Sequence, residues 1–107
     1  MMEALKQLIS QLLDLTPAVY HDEAAPDHPD QYIVWSIDGG EAFYADQAAA
    51  ETSLEISVDL FTGKEFDPLA DQVQETFGLC QVAWYINSVQ YERDTGLTHW
   101  EWVVQCG

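Results

Sequence analysis

From Leu54 to Phe61 the chain alternates. Leu54, Ile56, Val58 and Leu60 are aliphatic, and Glu55, Ser57 and Asp59 between them are polar. Successive side chains of an extended strand point to opposite faces, so this stretch has one dry face and one wet face. It predicts a strand over residues 52–62, central to a small antiparallel sheet. The remaining elements must then cover its aliphatic side.

Two stretches have the period to do so. Leu5, Leu8, Ile9, Leu12 and Leu13 recur at steps of three and four, the stripe of an amphipathic helix over residues 2–15. Thr16-Pro17 ends it, because the residue before proline is pushed out of the helical region. Further on, Asp67-Pro68 pairs a favoured N-cap with a favoured first-turn residue. Leu69, Val73 and Phe77 follow at four-residue steps, and Gly78 is expected to stop this second helix, giving 68–77.

Other strands are shorter or less regular. Residues 18–21 suit a brief one. Residues 31–38 put Ile33, Trp35 and Ile37 on one face and Tyr32, Val34 and Ser36 on the other. Asp38-Gly39-Gly40 reads as a turn into another strand at 42–45. Residues 82–105 form a hairpin closed at Arg93-Asp94-Thr95-Gly96. In its first arm Trp84 and Ile86 alternate, then Val89 and Tyr91, with a parity slip between the pairs. That slip predicts a β-bulge near Asn87-Ser88. In the second arm Trp100, Trp102 and Val104 oppose His99, Glu101 and Val103. The expected fold is a single α+β domain of two layers, an antiparallel sheet with both helices on one face. Its core should hold Leu5, Leu8, Leu12, Leu69, Val73 and Phe77 against Ile33, Trp35, Leu54, Ile56, Val58, Leu60, Trp84 and Trp102.

Charge narrows the partners. Nineteen acidic residues face three basic ones, Lys6, Lys64 and Arg93, for a formal charge of −16 over 107 residues. Nucleic-acid binding rests on Lys and Arg neutralising phosphates, so tight binding of DNA or RNA is not expected. Neither is binding to anionic membrane, and no apolar run is long enough to span one. The start of the chain lacks the pattern of a signal peptide. Cys80 and Cys106 do not make a disulfide framework, and a cytoplasmic protein with unbridged thiols is the expectation.

Candidate chemistry is sparse. No nucleophile elbow and no phosphate-binding glycine loop occurs, and Gly39-Gly40 alone is a turn. His99 beside Glu101 reads as an exposed strand histidine and not as a general base. The loop from Asp22 to Asp30 gathers metal-ligand types, with His21, Asp22, Glu23, Asp27, His28 and Asp30 in or beside it. Ligand sites need a supported shell, and a proline-containing acidic loop more often lies in water, or orders against a partner through Asp22, Glu23, Asp27 and Asp30. No enzyme activity, cofactor or metal follows from these residues. Val34, Tyr85 and Val103 are apolar on the face away from the expected core, which makes them candidates for subunit contact. The acid excess also allows a second class, a DNA mimic that binds and inhibits a basic nucleic-acid-binding protein of the host.

Three pieces in order carry a resemblance. They are Tyr44-Ala45-Asp46; Glu51-Thr52 leading into Ile56-Ser57-Val58-Asp59-Leu60-Phe61; and Tyr91-Glu92-Arg93-Asp94-Thr95-Gly96-Leu97-Thr98-His99. With one helix before and another between, the chain from about Gln31 onward resembles the small tail-completion or tail-terminator proteins of long-tailed bacteriophages and prophages. The resemblance implies a structural role without catalysis. The protein would self-associate into a ring, usually of six, between tail-tube and head-connector proteins. It would be found in the bacterial cytoplasm during assembly and in the virion neck afterwards.

Overall fold

The computed structural model describes residues 2–39 and 53–107. Its elements are α1 (Met2–Leu15), β1 (Val19–His21), β2 (Tyr32–Gly39), β3 (Leu54–Thr62), α2 (Pro68–Leu79), β4 (Ala83–Glu92) and β5 (Leu97–Cys106). Five strands form one sheet in the order β1-β2-β3-β5-β4, so β3 is its middle strand. The strand expected at 42–45 lies outside the described residues. β2, β3, β5 and β4 pair antiparallel, but β1 runs parallel to β2, with Val19 opposite Ile33 and His21 opposite Trp35. The sheet is therefore mixed, and the acidic loop is the connection that carries the chain back to start β2 in the same direction as β1.

One core joins the two helices to one face of the sheet. Leu5, Leu8 and Leu12 of α1 and Leu69, Ala70, Val73 and Phe77 of α2 pack with Ile33, Leu54, Ile56, Val58, Leu60, Trp102, Val104 and Cys106. Two expected core residues are only half in it. Trp35 stacks on His21, ring centroids 3.9 Å apart, beside the three-residue outer strand β1. Trp84 keeps 37% of its surface exposed on β4, the opposite edge strand, with the Phe77 ring of α2 against it at 5.6 Å. Ile37, on the same parity, is likewise exposed near the end of β2.

Buried Asp67 joins the layers. Its Oδ1 accepts from the Leu69 N–H at 2.9 Å, the N-cap bond expected from Asp-Pro. Its Oδ2 accepts from the Thr62 hydroxyl at 2.5 Å and from the Gln31 side-chain amide at 2.6 Å. Burial alone would raise its pKa. The donors from Thr62, Leu69 and Gln31, with Lys64 nearby, outweigh that and hold the carboxyl below its ordinary value.

The far end of α2 departs from expectation. Gly78 stays helical, and Gln81 takes the left-handed turn at φ 57°. Gln81 N–H bonds to Gly78 O and Val82 N–H to Phe77 O, so the last carbonyls are satisfied without a glycine at the turn. In the hairpin, Gly96 adopts φ 73° and the register slips between Ile86 and Ser88, as the parity of the sequence predicts. The slip sets Ala83 opposite Gln105, so Cys106 falls beyond the paired end of β4; on its other edge β5 pairs Cys106 with Leu54 of β3. Cys80 and Cys106 are unbridged, and burial pushes both thiols above their usual range.

Two outcomes follow. Trp102 is fully buried with Phe77 edge-on and its indole N–H bonded to Gln74, so Trp102→Ala should lose about 3–5 kcal/mol in denaturant unfolding. An unchanged midpoint would mean that β5 faces the wrong way. A thiol assay under denaturing, non-reducing conditions should count both cysteines as free; a count of none would contradict the hairpin register.

Candidate functional site

The outer face of the sheet, away from the helices, carries the polar half of each alternation. Across it β3 and β5 pair Asp59 with Glu101 and Phe61 with His99. The four positions form a tight block, since direct and diagonal neighbours on one face of an antiparallel pair lie within side-chain reach. Asp22, Glu23 and Ala24 of the acidic loop reach the same region as Tyr32, Val34 and Ser36. Together they line an open cleft of about 340 Å³ floored by Asp59, Phe61, His99 and Glu101.

His99 is held from three sides. Its ring stacks on Phe61, centroids 4.2 Å apart, and Phe61 stacks on Tyr32 at 4.8 Å. Tyr32 in turn meets His28 of the loop at 4.1 Å. This aromatic row crosses the sheet and fixes the plane of the imidazole. Nε2 then stands 2.8 Å from Asp59 Oδ1, and Nδ1 stands 3.5 Å from Glu92 Oε2 on β4. Glu101 has its own orienting contact, a bond of 3.3 Å from the Ser88 hydroxyl.

Electrostatics follow from that geometry. The hydrogen bond to Asp59 raises the His99 pKa above its ordinary 6.5; burial opposes this, and the charges of Asp59, Glu92 and Glu101 add to the rise. Asp38, at the end of β2, is raised as well. Partial burial is the main cause, a hydrogen bond with Ser57 opposes it, and Asp59 and Glu101 contribute by repulsion. The face thus concentrates carboxylates around one histidine. Among the described residues, no Lys or Arg stands within ion-pair distance of Asp38, Asp59, Glu92 or Glu101.

The residues singled out in the sequence fall in different places. Asp22 and Glu23 flank the cleft, with Asp22 in a left-handed turn at φ 69°. Asp27 and Asp30 are exposed. The loop's two histidines are engaged separately, His21 on Trp35 and His28 through Nδ1 with the Pro29 carbonyl, so the loop residues do not converge. Val34 and Val103 do lie on the outer face, but at 9% and 8% exposure they have little surface left to offer a partner. Tyr85 remains 55% exposed. His99 is not the exposed strand residue expected from its neighbours. Its partner Asp59 is forty positions away, and only the strand register brings the two together.

The other exposed feature is β4. Tyr85 on its outer face and Trp84, Ile86, Val89 and Tyr91 on its helix-side face are all exposed, although α2 lies nearby. Phe66, 87% exposed, stands at the same side of the molecule near Trp100. From Ala83 to Tyr91 no residue is charged. A long apolar edge strand invites pairing or packing with another chain.

No model of a known protein family matches the chain, and no curated protein matches it.

The raised pKa of His99 has a readable consequence. A group whose pKa rises on folding lends stability that is fully present below its unfolded value and is lost as pH climbs through the folded one. The His99 ring should titrate above 6.5 by NMR, and unfolding free energy should decline as pH rises through that midpoint. The decline should be weaker in His99→Gln. An imidazole titrating at or below 6.5 would mean that the Asp59 contact does not persist in solution.

Proposed function

We propose that the protein is a structural subunit of a phage or prophage tail-completion ring, joining tail tube to head connector without catalysis. The observation that carries this reading is β4: a ten-residue edge strand, exposed and apolar along its helix-side face, with Tyr85 exposed on the outer one, and uncharged along nearly its whole length, on a chain of charge −16. Like-charged copies repel wherever carboxylates meet. The uncharged strip is where two copies can approach without that cost, and a second copy of this chain is its occupant. The turn Arg93-Asp94-Thr95-Gly96, which carries much of the family resemblance, closes the same hairpin.

The excess acid then faces the lumen or the rim. A lumen of carboxylates repels the phosphates of a passing duplex and gives it no place to stall. The outer face around Asp38, Asp59 and Glu101 supplies such a surface.

Salt should tune the assembly. At low ionic strength the subunits stay apart; as the Debye length falls to about 8 Å or less, or on a tail-tube template, they associate. Light scattering across a salt series, with and without purified tail tubes, measures this. Val89→Glu and Tyr85→Glu, both at exposed positions, should keep the fold and abolish association. A monomer at every salt that binds a basic host protein one to one would instead favour the DNA-mimic reading. Deleting the gene should leave full heads beside unjoined or overlong tails, and normal infectious particles would end the proposal.

A further inference from the structure

Asp59, His99 and Glu101 offer one imidazole nitrogen and two carboxylate oxygens, all within 4.8 Å of one another. Among the described residues this is the one such trio. Ligands on a common Zn²⁺ ion lie roughly 3.3 Å apart if each bond is about 2.0–2.2 Å and the geometry is tetrahedral. Asp59 and His99 already stand closer than that, at 2.8 Å, and must part slightly; Glu101 must close in by a side-chain rotation. Both carboxylates are partly exposed on rigid, paired strands, so such rotations leave the backbone in place.

The surroundings are those of an oriented ligand set. An imidazole that binds metal through one nitrogen commonly gives its other N–H to a carboxylate, which fixes the tautomer. Here the Glu92 carboxylate stands 3.5 Å from Nδ1, at ion-pair distance and one small side-chain shift from that place, while Nε2 is aimed at Asp59. Phe61 fixes the ring plane, and Ser88 bonds to one oxygen of Glu101. A solvated acidic patch has no need of a histidine clamped between stack and carboxylate.

We propose that Asp59 Oδ1, His99 Nε2 and a carboxylate oxygen of Glu101 form a mononuclear site for a divalent transition cation of the Zn²⁺ class. The nitrogen donor disfavours Mg²⁺ and Ca²⁺, which take all-oxygen shells. The fourth position opens to the cleft, toward water or the Asp22-Glu23 turn. The bound ion braces β3 to β5 and offsets part of an uncompensated negative cluster. This site does not depend on ring assembly and is present in a single chain.

The test uses the full chain stripped with a chelator and dialysed. Calorimetric titration with Zn²⁺ should show a single equivalent bound with micromolar or better affinity, and Co²⁺ should develop visible absorption to the same endpoint. His99→Gln and Asp59→Asn should lose the binding; Glu92→Gln should weaken it about 10–100-fold. His21→Gln and His28→Gln should leave it unchanged. Because a variant can fail by misfolding, the unaltered protein gives a second readout. In nitrogen-15 histidine spectra, Zn²⁺ should move the His99 Nε2 resonance and spare those of His21 and His28. The absence of a bound equivalent at about 100 μM Zn²⁺, several weak equivalents that survive His99→Gln, or shifts at His21 or His28 instead would each overturn the assignment.

Discussion

The parity of β3 constrains everything else. Ile56, Val58 and Leu60 are fully buried between two neighbouring strands and two helices, and Ser57, Asp59 and Phe61 necessarily face the other way. A slip of one residue would place Asp59 and Glu55 in the core and strand the aliphatics in water. Burying a lone carboxylate costs several kcal/mol, so that register is strongly excluded. The same parity that builds the core therefore also delivers Asp59 to the outer face, opposite Glu101 and diagonal to His99.

A second constraint acts at the end of the same strand. Thr62, Asp67 and Gln31 connect β3, the start of α2 and the approach to β2 through one carboxylate. Each oxygen of Asp67 is used, and each donor is drawn from a different segment. Satisfying a buried charge this fully is what allows it to be buried at all. The geometry sets where α2 begins, and with it which turns of that helix reach Trp102 and which stop short of β4.

Local signals were legible wherever one residue decides the conformation. The helix of residues 2–15, the Asp67-Pro68 cap, the Gly96 turn and the bulge after Ile86 all appear in the structure where the pattern of residues put them. Alternation also assigned the faces of β3 and β5 correctly. What it could not give was extent. Trp35, Ile37 and Trp84 have the core parity but sit at or past the margin of the helix cover, and strand period carries no information about that boundary. Val34 and Val103 show the converse: on the outer face, yet nearly buried. The parallel pairing of β1 was hidden because three residues carry no directional pattern. Nor does Gly78 end its helix, since Gln81 accepts the strained conformation once Val82 and Cys80 are packed against the core.

The histidine site was hidden for a related reason. Its members come from three strands, and their contacts depend on register rather than spacing. Glu92 reaches His99 only because the bulge restores the outer-face parity of Ser88, Gln90 and Glu92. Were Asn87 to continue the regular alternation and not stand unpaired in the bulge, those side chains would lie on the helix side, while Val89 and Tyr91 would turn outward. The bulge thus has two consequences at once. It brings a carboxylate to His99 on one face, and on the other it extends the row of Trp84 and Ile86 through Val89 and Tyr91 beyond the reach of α2. In a chain whose surface is overwhelmingly acidic, these are the two places where the electrostatic problem changes character: one gathers negative charge around a single basic group, and the other has no charge at all. The proposed ion site and the proposed chain contact are then largely separable, because the first lies on the outer face and the second is mostly the helix-side row of Trp84, Ile86, Val89 and Tyr91.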